Sequence, residues 1–164
     1  MEEDSKRRHL FISHHHNDDE AVSKLTKLCN DRGYDIRNSS IRAKPANAER
    51  LQRGLVKEEV IQRLLRMKIS WATTVVVLIG KETHQRPWVN WEIKEAYEQG
   101  KRIVGVYERG GKEAALPSNL DRYGDSIVAW NSERIIAAID GENNRFENSD
   151  GSERAVGSSN RTEC

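Results

Sequence analysis

The chain has 164 residues, room for one domain with a core, of which 36% are apolar and 32% charged. Its 27 Lys and Arg against 26 Asp and Glu leave a formal charge of +1, which argues against bulk nucleic-acid binding. Cys29 and Cys164 are too few for a disulfide framework or a Cys-based zinc site, no apolar run reaches membrane-span length, and Met1 to His9 lacks the apolar core of a secretory signal. A reducing, cytoplasmic setting without a membrane partner is the expectation.

Strand and helix signals alternate along the chain, the pattern of a parallel sheet covered on both faces. His9 to Ser13 reads as the first strand. Asn17 or Asp18 can cap a helix whose face is Ala21, Val22, Leu25, Leu28 and Cys29 and which ends near Gly33. Tyr34 to Asn38 is a short second strand, and a basic polar stretch from Ser39 to Arg50 leads to a long helix ending near Trp71. Thr73 to Ile79 is the central strand. Pro87 fits the first turn of the next helix and Gly100 closes it, with Val89, Ile93, Ala96 and Tyr97 predicted to face the sheet. Arg102 to Tyr107 is a fourth strand, a Gly-containing loop runs to Pro117, Ile127 to Trp130 is a fifth strand, and Glu133 to Ile139 a last helix. The division is an N-terminal arm at 1–8, a domain at 9–140 and a polar tail at 141–164. That tail has only Phe146, Ala155 and Val156 as apolar relief and is expected to be disordered.

In an open parallel sheet, ligands bind beyond the carboxyl ends of the strands, where helix N-termini favour anions. The loop after the first strand and the start of the Trp88 helix both emerge there, so Ser13, His14 and Glu92 can line one pocket, with Phe11 at its floor or in the core. Neither Gly-x-Gly-x-x-Gly after the first strand nor a P-loop is present, and a phosphoacceptor receiver would need an Asp where this chain has Ile79-Gly80-Lys81. The run His14-His15-His16 is read as polar loop or substrate contact, not as a metal site, because adjacent histidines cannot all converge. Ser13 has no recognisable base placed downstream and is read as a binding residue, not a nucleophile. For Glu92 the bland reading is a solvated helix carboxylate pairing Lys94 or Lys81, and for Trp88 and Trp91 it is plain packing, favoured for Trp91.

Four segments together, Leu10-Phe-Ile-Ser-His14, Ile69 to Gly80, Trp88-Val-Asn-Trp-Glu-Ile93 and Gly100-Lys-Arg-Ile-Val-Gly105, resemble a TIR-like domain. In order and spacing from Arg8 to Ile139 they are similar to the stand-alone TIR-like proteins of the Thoeris antiphage type. The resemblance implies a flavodoxin-like, TIR-like three-layer α/β fold with a five-stranded parallel sheet. It further implies an enzyme that cleaves the nicotinamide-ribose bond of NAD and makes an ADP-ribose-derived signal, cyclic or conjugated. Glu92 then matches the catalytic glutamate, Phe11, Ser13 and His14 match the nucleotide pocket, and Ser39 to Arg50 matches a mobile loop. The consecutive histidines and the basic loop depart from the pattern.

The residues suit that chemistry. Bond cleavage builds positive charge on the ribose, which an ionised Glu92 stabilises, and the leaving group is already cationic, so no general acid is needed. Asn17 and Asp18 lie in the same loop as His14; Trp88 or Trp91 can stack on a base, and helix N-terminal amides with Arg42 or Lys44 can meet the pyrophosphate. NAD is expected as substrate, with no resident cofactor, no metal and no specific nucleic acid. By resemblance the partners are a downstream effector sensing the nucleotide signal and a phage-derived trigger. A homo-oligomer stays open, since the long helix before Trp71 can be an assembly face or a cover for the sheet. A non-catalytic TIR-like interaction module is the alternative, and a flavin or nucleotide carrier a third reading.

Overall fold

The computed structural model describes residues 8–14, 19–38, 54, 57–80, 83–108, 115–148 and 151–152. Five strands, β1 (Arg8–Ser13), β2 (Tyr34–Asn38), β3 (Thr74–Ile79), β4 (Arg102–Tyr107) and β5 (Ser126–Val128), form one parallel sheet in the order β2-β1-β3-β4-β5. The helices are α1 (Asp19–Asn30), α2 (Glu58–Trp71), α3 (Pro87–Glu98), α4 (Ser118–Tyr123) and α5 (Ser132–Asp140). A single 3₁₀ turn, Thr83–Gln85, precedes α3.

Strand alternation builds the two faces. Phe11, Val75, Val77, Ile79, Ile103 and Ile127 point to one side and are covered by α2, α3 and α4 through Leu65, Ile69, Val89, Ile93 and Leu120. Leu10, Ile12, Val76, Leu78, Val104 and Val106 point to the other, covered by α1 and α5 through Leu25, Cys29, Ile135 and Ala138. The expected three-layer α/β fold is therefore the observed one. Because β1 is followed on one side by β2 and on the other by β3, the sheet has its switch point at the C-terminal ends of β1 and β3.

Four details differ from the sequence reading. A helix, α4, stands where the sequence was read as leading from the Pro117 loop to the last strand; its only fully buried side chain is Leu120, so it has no apolar period to detect. Leu120 sits on β4 at Gly105, where a Cβ would come within 2.8 Å of Leu120 Cδ2. Tyr97, expected to face the sheet, is 54% exposed and stacks on Tyr123 with ring centroids 4.1 Å apart. Val89, Ile93 and Ala96 fill the buried arc of α3, and Tyr97 lies about 100° beyond Ala96 around the axis.

The last strand lies at Ser126–Val128, not at 127–130, because the amide of Ala129 is taken by the side chain of Glu147 (Oε1, 3.0 Å). The polar segment after Asp140 accordingly takes a correction at its near end. Ile127 donates to Arg145 O at 2.9 Å and Glu147 donates to Ile127 O at 2.8 Å, so Arg145 to Glu147 runs parallel to β5 as a rudimentary sixth strand. Glu147 is fully buried and bridged by Arg134 (3.4 Å) and Arg145 (3.7 Å). The arm at 1–7 and the tail beyond 152 lie outside the described residues. Among the described residues no helix is long and apolar enough to cross a membrane.

Candidate active site

β1 delivers Ser13 to the switch point. Alternation gives it the face of Phe11, toward α3, and its register opposite Val77 on β3 fixes its height. The other wall is set by the turn after β3. Thr83, fully buried, accepts the Gly80 amide through Oγ1 at 2.8 Å and donates to Leu78 O at 3.3 Å, pinning the turn that lays down α3. Arg86 is extended (φ −98°, ψ 111°), as the residue before a proline must be, and Pro87 opens the helix.

Within α3, Glu92 lies beside Val89 and Ile93 on the buried arc and reaches the end of β1. Ser13 donates its hydroxyl to Glu92 Oε1 at 2.5 Å, and both residues are 0% exposed. The separation is at the short end for a hydroxyl–carboxyl hydrogen bond. A carboxyl group costs free energy when removed from water, so this pair is a placement the apolar core alone would not select. Glu92 is thus not the solvated carboxylate of the bland reading, and Lys81, one of its suggested partners there, lies outside the described residues.

His14, 2% exposed, follows Ser13 and presents its backbone carbonyl to Trp88, whose indole N–H approaches it at 3.5 Å. Trp88 is half-buried against the core cluster and carries the Arg86 guanidinium 5.8 Å from its ring centroid. Trp91 points away from this pocket: it packs on the core margin under Arg66, 5.5 Å from its ring, as the packing reading held. Phe11, expected at the pocket floor or in the core, has no exposed surface and belongs to the core cluster beneath the site. Ser13, His14, Trp88 and Glu92 are therefore brought together. Asn17, Asp18, Arg42 and Lys44 lie outside the described residues, as do His15 and His16.

Three contributors escaped the sequence reading. Thr83 holds the β3–α3 turn and Arg86 covers Trp88. Asn90 accepts the Asn119 amide through Oδ1 at 2.9 Å and takes the Asn119 side-chain amide on its own carbonyl at 2.7 Å, bracing α3 against α4. Only Arg86-Pro87, an extended residue ahead of a helix start, carries a local signal for such a role.

Fold and site together define a doubly wound α/β domain with an acidic group buried at the switch point of its sheet. The family model described as "Thoeris protein ThsB, TIR-like domain" matches residues 11–113, and the chain belongs to that family. It is 32% identical over 53 residues to a Bacillus cereus (strain MSX-D12) protein named "Putative cyclic ADP-D-ribose synthase ThsB1". That match spans 32% of this chain and 28% of the relative. Among solved structures it is similar in fold to the CMP N-glycosidase BcmB of Clostridium botulinum. The TM-score there is 0.51 at 14% identity, over 81% of this chain and 98% of that one.

Proposed function

We propose that this protein is a TIR-like enzyme that cleaves the nicotinamide-ribose bond of NAD and converts the remainder into an ADP-ribose-derived signal, cyclic or conjugated, in bacterial antiphage defence. The observation that carries the reading is the Ser13–Glu92 pair, a buried hydroxyl and carboxyl group at the ligand-binding edge of the sheet. Family membership and the activity in the Bacillus relative's name support it.

In this reading the bond from ribose C1′ to the pyridinium nitrogen breaks with both electrons going to nicotinamide, which leaves neutral. The ribose becomes oxocarbenium-like, and Glu92, ionised, stabilises that charge through the ribose hydroxyls more strongly in the transition state than in the ground state. Ser13 fixes the orientation of the carboxylate through one of its oxygens. Attack on C1′ by water, losing a proton, gives ADP-ribose; attack by a nitrogen of the adenine base closes a ring. Trp88 offers the aromatic surface for a flat base. The site needs no resident cofactor in this scheme, and the cytoplasm, where NAD is held, is the proposed setting. A downstream effector and a phage-derived trigger complete the proposed pathway.

The complete enclosure of Glu92 favours a second reading, in which the pair locks α3 to β1 in a non-catalytic interaction module. One experiment separates the two. The full chain and its Glu92→Gln variant are incubated with NAD and a lysate of phage-infected cells, and nicotinamide and nucleotide products are followed by mass analysis. Nicotinamide release that falls at least about 100-fold in the variant is the expected result for a group stabilising transition-state charge. Release unaffected by the substitution, or none from wild type, assigns the pair to the interaction module.

A further inference from the structure

A ribose hydroxyl must come within about 3 Å of a carboxylate oxygen to bond it. Glu92 and Ser13 have no exposed surface and His14 almost none, so not even water touches the carboxyl group in this conformation. Every approach of a sugar therefore begins with the displacement of something that covers it.

The surroundings show which described part can yield. Below the carboxyl group lies the core cluster, with Phe11, Val77, Val89 and Ile93 all fully buried. Ser13 is held by strand register to β3. The outer wall is different. Trp88 is half-buried, so its indole has solvent on one side, and the indole N–H reaches the His14 carbonyl at 3.5 Å, the long limit of a hydrogen bond. Arg86 lies 5.8 Å from the ring and moves with the same helix start. Turning the Trp88 side chain about its own bonds breaks that contact and leaves the helix axis and the strand register in place.

We infer that Trp88 is a latch on the site proposed above: its indole, resting on the His14 carbonyl, holds the site closed over Glu92, and release of that contact admits the sugar. The inference rests on the proposed role of Glu92 for its consequence, but not for its geometry. A closed majority state lowers apparent substrate affinity by the fraction that is open, and a ligand or partner that prefers the open state raises activity without touching the chemistry.

The test uses the full chain and two variants. Trp88→Phe keeps an aromatic ring and removes the donor; Arg86→Gln removes the cation over the indole. Carboxyl groups are labelled with a carbodiimide and glycinamide, and labelling of Glu92 is compared with that of exposed Glu98 by peptide mass mapping. In wild type Glu92 labels far more slowly than Glu98. In Trp88→Phe its rate rises roughly three- to tenfold, the change in open population expected for one neutral hydrogen bond, with Glu98 unchanged. Arg86→Gln moves it in the same direction by less, and decides the matter alone if Trp88→Phe does not fold. Glu92 labelling as fast as Glu98 in wild type, or unaltered in the folded variants, overturns the latch. Nicotinamide release from NAD is measured on the same samples after addition of the lysate of phage-infected cells. Raised labelling with no release in any sample keeps the latch and removes the NAD reading, whereas release with unaltered labelling does the reverse.

Discussion

Ser13 closes β1 and Glu92 lies in the second turn of α3, and the hydroxyl of the first donates to the carboxyl of the second at 2.5 Å with neither exposed to solvent. Two segments 79 residues apart are thus joined by a polar bond at the edge of the apolar core cluster.

That bond has a stability signature. Ser13→Ala leaves a buried carboxyl oxygen without this donor and is expected to cost about 1–3 kcal/mol. Glu92→Gln retains an oxygen that can accept from Ser13 and costs less, so a double-mutant cycle by urea denaturation should give a coupling of at least about 0.5 kcal/mol. Strictly additive losses would mean that the pair does not act as a unit.

The α3–α4 region makes a packing prediction. A Cβ at Gly105 would meet Leu120 Cδ2 at 2.8 Å and Ile79 Cδ1 at 3.1 Å, so Gly105→Ala should destabilise the fold by about 1–3 kcal/mol through overpacking. Shortening the neighbour in Gly105→Ala/Leu120→Ala should cost less than the sum of the two single changes, read from thermal melts. A sum that simply adds would show that α4 does not rest on Gly105.

Residues that repeat were legible and residues that act singly were not. The strands and the buried arc of α3 follow from period-2 and period-3.6 spacing, so β2, β4 and the Val89, Ile93 and Ala96 face could be read directly. Glu92 was recognisable because a helix start after the central strand must reach the switch point. Its enclosure was not, because that depends on how close α3 lies to β1. Leu120 and Asn119 act through contacts with distant segments and Thr83 through two bonds within its own turn, and such isolated contacts leave no period in the chain. The sixth-strand segment leaves no pattern for the same reason. Its composition is polar throughout, while Glu147 alone supplies the acceptor that the Ala129 amide needs.

That segment yields a third prediction. Glu147 is buried between Ala129 N–H and two half-exposed arginines, so Glu147→Ala strands a backbone donor and should cost about 1–3 kcal/mol. Arg134→Ala and Arg145→Ala, whose own side chains are half-exposed, should each cost less. Ending the chain after Asp140 removes the strand pairing as well and should lower the melting temperature by at least as much as Glu147→Ala. An unchanged melting temperature would return residues 141–148 to the status of a dispensable tail.

Cys29 gives a pH test. It lies in the α1 face of the second core cluster, and burial pushes its thiol up from 9.0 to about 12, with Asp140 adding to the rise and Arg32 opposing it. The folded chain therefore keeps the proton that the unfolded chain has lost between those two values. Unfolding releases a proton in that window, so Cys29 leaves stability untouched below pH 9.0 and lowers it, by about 1.4 kcal/mol per pH unit, as pH rises toward 12. Lysines and tyrosines titrate in the same range, so the measurement is a difference. Urea midpoints of a Cys164→Ser chain are compared from pH 8 to 11 with those of the same chain carrying Cys29→Ala. The gap between them should narrow as pH rises, because Cys29 loses its advantage only where the unfolded thiol ionises. In the same background a disulfide reagent at pH 8 should leave Cys29 unmodified until urea unfolds the chain, since the thiolate is the reacting form. Rapid modification of the folded chain would show that α1 opens from the sheet far more often than its burial implies.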